Sequence, residues 1–394
     1  MMDDLKDIRR EIDAIDDQLI PLLCRRMDCS LRVASYKAAH GLPVLNEERE
    51  QQVLEQVRAV CCKEGRADYA EAAALVFAST MDVSRALQHR ALGAGQPLRE
   101  ALEGASRSLL PPELARVVCQ GCAGAYSDEA AGRMFPLTRE AQHRPIFVST
   151  WADVLEMVRS GQADYGVLPV ENSSTGSVGE VYDLIMTGGF SIAAAVELPV
   201  SHCLLGLPGA SLADIREVCS HPQGLSQCAD IIAAHGWRTI PYGNTATAAK
   251  MVAEAGNPAL AAIASRKAGE IYGLNILDDS VQSVDKNCTR FIAISSRLTI
   301  PADADKISLI FSLPHTTGSL YRALARFALE GLNLTKIESR PIRDGGFHYA
   351  FYLDFEGSIS QPGTRDLLCA LSEEMPAFTF LGNYRELGHQ GRNA

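Results

Sequence analysis

The chain has 394 residues, 47% hydrophobic and 22% charged, with a net charge of −11, which allows two to four globular domains with real cores and argues against broad nucleic-acid binding. No apolar run reaches the roughly 18 residues that span a bilayer, and the opening MMDDLKDIRR lacks a basic n-region and an apolar h-region, so a cytoplasmic protein with no membrane partner is expected. The eleven cysteines are scattered apart from Cys61-Cys62, and CQGC at 119–122 has no second ligand pair, so free thiols rather than a metal site are expected.

Residues 3–38 carry one long helical period through Leu5, Ile8, Ile12, Ile15, Leu19, Leu22, Met27 and Leu31. Pro21 lies inside it and should kink the helix or remove one backbone bond. HGLPVLN at 40–46 is a stop, and helices at 46–63 and 67–90 follow. The first helix is too long for the other two to cover, which suggests dimerisation. Arg26 and Lys37 stand eleven apart and share a helix face to within about 20°, whereas Arg9 lies about 100° round the helix from Arg26. Asn46 with Glu50 and Ser84 with Gln88 are i, i+4 pairs. Turned inward, this set would bind a small polyanion carrying a hydroxyl; turned outward, it is a solvated face.

Residues 91–114 read as a Gly/Pro linker with room for a short helix. Over 115–297 short β-rich runs alternate with helical ones, the pattern of open, mostly parallel α/β sheets in two lobes around a cleft. Polar loops fall where strands give way to helices, a natural anion site: in VLPVENSSTGSVGEVYDLI at 167–185, SHPQGLSQC at 220–228 and GNTATAAK at 243–250. KNCTRFIAI at 286–294 sets Cys288, Thr289 and Arg290 before an apolar strand. After a second linker, 305–387 has the order βαββαβ, an α+β ferredoxin-like pattern.

Three resemblances follow. IRREIDAIDDQLIPLLCRR, SYKAAHGLPVLNEERE and SRALQ, within residues 1–90, resemble the all-helical chorismate mutases. The match implies that Arg26, with Arg9 from the partner subunit, grips the carboxylates of chorismate. It likewise implies that Lys37 and Gln88 bond the ether oxygen, Asn46 and Glu50 the hydroxyl, and Ser84 a carboxylate. The reaction is a unimolecular [3,3] rearrangement needing no cofactor, only a compact conformer and donors at the breaking C–O bond.

LPVENSSTGSVGEVYDL, LPVSHCLLG, SHPQGLSQC, NTATAAK, YGLNIL and NCTRF resemble prephenate dehydratase in order and spacing. The resemblance implies two periplasmic-binding-protein-like lobes with Asn172, Gln227 and Thr289 as catalytic residues. Glu171, Ser173, Ser220, His221 and Arg290 are candidates for substrate contacts or support. Loss of the ring hydroxyl needs a strong donor at that oxygen; Thr289 as an oriented donor and His221 as an acid are both open, as is arogenate in place of prephenate. CQGCAGAYS departs from the family by placing Cys122 at a usual Pro and Ala125 at a usual hydroxyl residue.

TTGSLYRAL and LTKIESRPIRDGG resemble the ACT domain attached to such enzymes. This implies phenylalanine as an effector, held by Gly318, Ser319 and Leu320 and by Glu338, Ser339, Arg340 and Pro341 at a dimer interface. Tyr321, in place of a usual Val, would crowd that pocket. The sequence thus reads as a multidomain homodimer or higher homo-oligomer carrying out both reactions under phenylalanine feedback.

Overall fold

The computed structural model describes residues 4–110, 114–135, 144–279, 281–283, 287–342 and 349–388. Lys286, at the head of KNCTRF, and Phe347-His348, where the third strand of the C-terminal segment was expected to start, lie outside them. The chain divides into two compact units, 1–104 with 309–379 and 105–308 with 380–394.

In the first unit, helix α1 spans Leu5–His40, from an Asp4 cap to Gly41 in the left-handed region. It continues through Pro21, so one missing backbone bond, not a break, is the outcome. Of α1 only Ala34 is buried, while Ile12, Ile15, Leu19 and Leu22 are each more than half exposed. Helix α2 spans Glu47–Lys63, capped by the Asn46 side chain. Helix α3 spans Ala70–Leu92 after one 3-10 turn, Ala67–Tyr69. Ala70, Ala74 and Ala78 on α3 are buried and small, and Met81, Ser84 and Gln88 continue the buried stripe; such i, i+4 spacing keeps one face inward.

The C-terminal segment orders as strand Lys306–Ser312, helix Ser319–Leu329, strands Leu334–Pro341 and Tyr349–Glu356, helix Pro362–Glu374 and strand Phe378–Tyr384. The sheet runs 334–341, 349–356, 306–312, 378–384. Phe327, Leu368 and Leu371 from the helices are fully buried, as are Phe311, Tyr352 and Phe355 from the strands. Both helices also pack against α3.

The second unit holds two sheets. In one, Val117–Gln120 runs parallel to Ile146–Val148 and Tyr165–Asn172. Strand Cys288–Ser295 lies antiparallel between Tyr165–Asn172 and Ser191–Pro199. The second sheet pairs Glu217–Ser220 in parallel with Arg238–Pro241 and Leu260–Ala264, and Cys203–Gly206 antiparallel to Leu260–Ala264 and Asn275–Asp278. The sheets are therefore mixed, not mostly parallel. The reason is the path: Cys288–Ser295 follows the second-sheet strands and re-enters the first sheet against its neighbours' direction. That return places Thr289 directly beside Asn172.

Candidate active sites

The second unit encloses a cavity of about 420 Å³ between its two sheets. Helices Tyr126–Met134, Trp151–Arg159 and Thr245–Ala255 all begin at its wall, so their positive N-terminal ends suit an anion. Thr150 and Asn244 cap two of them. Ala125 gives the third no side-chain cap, the consequence of the missing hydroxyl. Gly121, at φ 110, lets its loop approach Asn244; a Cβ there would meet Asn244 Nδ2 at 2.8 Å.

Asn172, Gln227 and Thr289 come together here. Asn172 Nδ2 donates to Thr289 Oγ1 at 2.9 Å and to Asn287 Oδ1 at 2.7 Å. Its Oδ1 accepts from Ser174 Oγ at 2.6 Å, and Gln227 Nε2 donates to that Ser174 hydroxyl at 3.0 Å. Gln227 Oε1 is 3.0 Å from His202 Nε2, whose other nitrogen is 3.3 Å from the Tyr126 hydroxyl. Burial lowers His202, with the Gln227 bond opposing, so a neutral ring donates Nε2–H to Gln227. The chain runs one way, and Thr289 Oγ1 ends it as an acceptor. Accepting there leaves the hydroxyl's own proton available to donate.

His221 also lines the cavity. Its Nδ1 accepts from Gln223 N at 3.2 Å, and burial lowers it, so at neutral pH it is a neutral N–H donor more than an acid. The remaining expected residues sit elsewhere. Ser220 is fully buried and bonds Ile263 O at 2.6 Å. Ser173 accepts from Cys288 N at 2.9 Å, clasping the strand. Glu171 pairs in register with Arg290, on the strand positions between those of Asn172 and Thr289 and their inward neighbours, and neither lines the cavity. Arg290, 7% exposed, is turned away into an ion pair with Glu386, bonds Tyr384 Oη at 2.9 Å, and shares Glu386 with Lys306 at 2.5 Å. It is not placed to hold a substrate carboxylate. Tyr126, His202, Ser174 and Asn287 went unselected in the sequence. Each nonetheless stands in a quoted motif: Tyr126 in CQGCAGAYS, Ser174 in LPVENSSTG, His202 in LPVSHCLLG and Asn287 in KNCTRF.

In the helical site, Arg26 Nη1 donates to Ser84 Oγ at 2.8 Å. Lys37 donates to Val44 O, and burial lowers its ammonium, with Glu50 opposing. Glu50 is ion-paired with Arg85, another residue not selected in the sequence. Gln88 is buried one turn beyond Ser84, its Oε1 without a partner among the described residues. Asn46 is exposed, its side-chain Oδ1 accepting from Arg49 N at 2.9 Å. Arg9 is exposed and, seventeen residues from Arg26 on one helix, lies about 25 Å away. It cannot serve the site of its own chain.

Another cavity, about 400 Å³, is lined by Ser319, Leu320, Thr316 and Phe351 among others. Gly318 caps the adjoining helix at φ 80. Tyr321 is 54% exposed and does not line it. Glu338 to Pro341 lie on the edge strand of the sheet and do not line it either.

A polar, helix-ended cleft between two α/β lobes and, in the other unit, half-buried Arg26 and Lys37 beside Ser84 and Glu50 are the parts of an enzyme for small anionic substrates. The model of the prephenate dehydratase family matches residues 117–299, and that of chorismate mutase type II matches 8–89. The bifunctional chorismate mutase/prephenate dehydratase of Escherichia coli is 29% identical over 96% of this chain and 95% of its own. An arogenate dehydratase/prephenate dehydratase of Arabidopsis thaliana is 40% identical over 68% of this chain and 71% of its own. Among solved structures, a prephenate dehydratase from Arthrobacter aurescens in complex with L-Phe has 30% identity and a TM-score of 0.60, covering 68% of this chain and 89% of that one. GqqA, described as a quorum-quenching acylase, has 33% identity and a TM-score of 0.61, covering 68% of this chain and 97% of that one. The chain belongs to the prephenate dehydratase family, in the bifunctional form that also carries a chorismate mutase domain.

Proposed function

We propose that the helical site rearranges chorismate to prephenate, and that the cleft converts prephenate to phenylpyruvate with loss of water and carbon dioxide. The observation that carries the second step is the one-way hydrogen-bond chain ending at Thr289. As the ring C–O bond breaks, the Thr289 hydroxyl hydrogen-bonds the departing oxygen without losing its proton; that oxygen leaves as hydroxide and takes a proton from solvent to become water, while the carboxylate leaves as carbon dioxide and its electron pair completes the aromatic ring. The helix N-termini hold the remaining carboxylate. An acyl-transfer reading, as for GqqA, finds less support. Among the described residues, the cleft histidines are bonded to Gln227, Tyr126 and Gln223, not to a Ser, Thr or Cys nucleophile.

In the helical site Arg26 and Ser84 bind carboxylate, while Lys37 and Gln88 meet the ether oxygen as charge develops. Arg9 serves the site of a second copy, and the exposed apolar stripe of α1 supports such a dimer. The 400 Å³ cavity beside Ser319 and Leu320, with Glu338 to Pro341 of a second copy across the sheet edge, would take phenylalanine in an ACT-type module. Purified protein given chorismate, with phenylpyruvate read by absorbance in alkali, tests both steps. Prephenate without phenylpyruvate would reject the dehydratase half. Prephenate consumed while chorismate is untouched would reject the mutase half. Arogenate offered beside prephenate decides between those substrates.

A further inference from the structure

The helical site and the C-terminal segment share one compact unit, and a buried charge cluster runs from one into the other. Arg85, with a side chain 12% exposed, directs Nη1 to Glu50 and Nη2 to Asp82. Its Nε lies 3.5 Å from Glu374 Oε2. Glu374, 11% exposed, ends the helix Pro362–Glu374. Arg326 donates to its Oε2 at 2.7 Å, and His89 Nε2 lies 2.9 Å from its Oε1. Burial alone would raise the Glu374 carboxyl, but His89, Arg326 and Arg85 together hold it down to about 2, so it is ionised at every working pH.

A guanidinium is a rigid planar fork. Glu50 and Asp82 bond its two terminal nitrogens, and its Nε faces the Glu374 carboxylate as an ion pair without a hydrogen bond, so the three acids together set the plane in which it meets Glu50. One edge of that fork touches Glu50, expected at the substrate hydroxyl; the opposite constraint comes from the C-terminal segment. This packing is not a single bond: Arg90 pairs with Glu330 at 2.7 Å, Arg99 with Asp366 at 2.6 Å, and Gly95 N donates to Glu373 at 2.5 Å.

We infer that Arg85 is a positioning residue of the mutase site and that Glu374 of the C-terminal segment orients it, so the mutase site is complete only when that segment is docked. The inference rests on the mutase reading given above. It makes the C-terminal segment part of the rearrangement machinery without touching substrate. A change in how its helices lie against α3 would reach Glu50 through one side chain.

The test uses the full chain. Glu374→Gln keeps the shape and removes the charge; it is expected to lower mutase kcat about tenfold, with KM for chorismate moved less than twofold and dehydratase kinetics unchanged. Glu374→Asp, which retains the charge, is expected to fall between wild type and Glu374→Gln. In a Glu50→Gln background the Glu374→Gln effect is expected to disappear, because the two act along one line. An unchanged mutase kcat in Glu374→Gln overturns the link, as does an equal loss in both backgrounds. If Glu374→Gln does not fold, Arg85→Lys is read instead. It keeps a charge for Glu50 but not the fork, and an unchanged mutase kcat there overturns the link too. Absence of mutase activity in the unsubstituted chain would overturn the functional reading itself, an outcome distinct from the others.

Discussion

The cleft and the helical site solve their problems with different materials. The cleft is a network of neutral amides and hydroxyls from Asn172, Ser174, Gln227 and Thr289, backed by a neutral His202. The helical site is built from charges: Glu50 paired with Arg85 and near Lys37, and Arg26 on the Ser84 hydroxyl. A dehydration needs one donor pointed correctly, and neutral groups whose donors and acceptors are all assigned can aim a proton without stabilising the starting dianion unduly. A rearrangement has no proton to move, and fixed charge is the only lever. The two also differ in completeness. Every cleft residue argued above comes from one chain, whereas Arg9 cannot reach the helical site of its own chain.

That contrast can be broken in graded ways. The largest effect is expected from Thr289→Ala, which should lower dehydratase kcat by roughly 10³-fold and leave chorismate consumption intact, both followed in one assay. Lys37→Ala should do the reverse, lowering mutase kcat by roughly 10²-fold while added prephenate is still converted. If either variant loses both activities, the sites are not separate.

Glu386→Gln tests the buried support behind Thr289. It would leave Arg290 and Lys306, 7% exposed each, without their shared carboxylate. Loss of one partner from such a cluster costs about 3 kcal/mol, measurable as a lower urea midpoint of the dehydratase unit. An unchanged midpoint would show that the cluster contributes little.

The smallest effect concerns pH. His202 is held neutral below its usual 6.5 by burial, so below pH 6.5 the unfolded chain binds a proton that the folded chain does not. Stability therefore rises with pH through that window and falls as pH drops below it. His202→Asn should flatten the thermal midpoint of the dehydratase unit between pH 5 and 7; an unaltered slope would assign the dependence to another group.

Much of the fold was legible because it rests on local pattern. The three N-terminal helices follow apolar periodicity, with an error only where a 3-10 turn precedes α3. The loops of the cleft followed from strand, polar loop and helix in succession. What escaped was long-range. Glu386 meets Arg290 across 96 residues and Arg85 reaches Glu374 across far more, and no period connects such positions. The mixed sheet escaped for the same reason, since direction depends on the return path. Arg290 was different: successive strand residues face opposite sides, so with Thr289 and Phe291 toward the cleft, Arg290 had to face away. That parity was readable.

The most direct test of the account is subunit complementation. Coexpressed Arg9→Ala and Lys37→Ala chains should form mixed dimers in which one of the two mutase sites is intact. With random pairing, mutase activity should return to about a quarter of wild type. Coexpressed Thr289→Ala and Gln227→Ala chains should recover no dehydratase activity, since that site lies within one chain. Failure of the first pair to recover, or recovery by the second, would contradict the division between a shared site and a self-contained one.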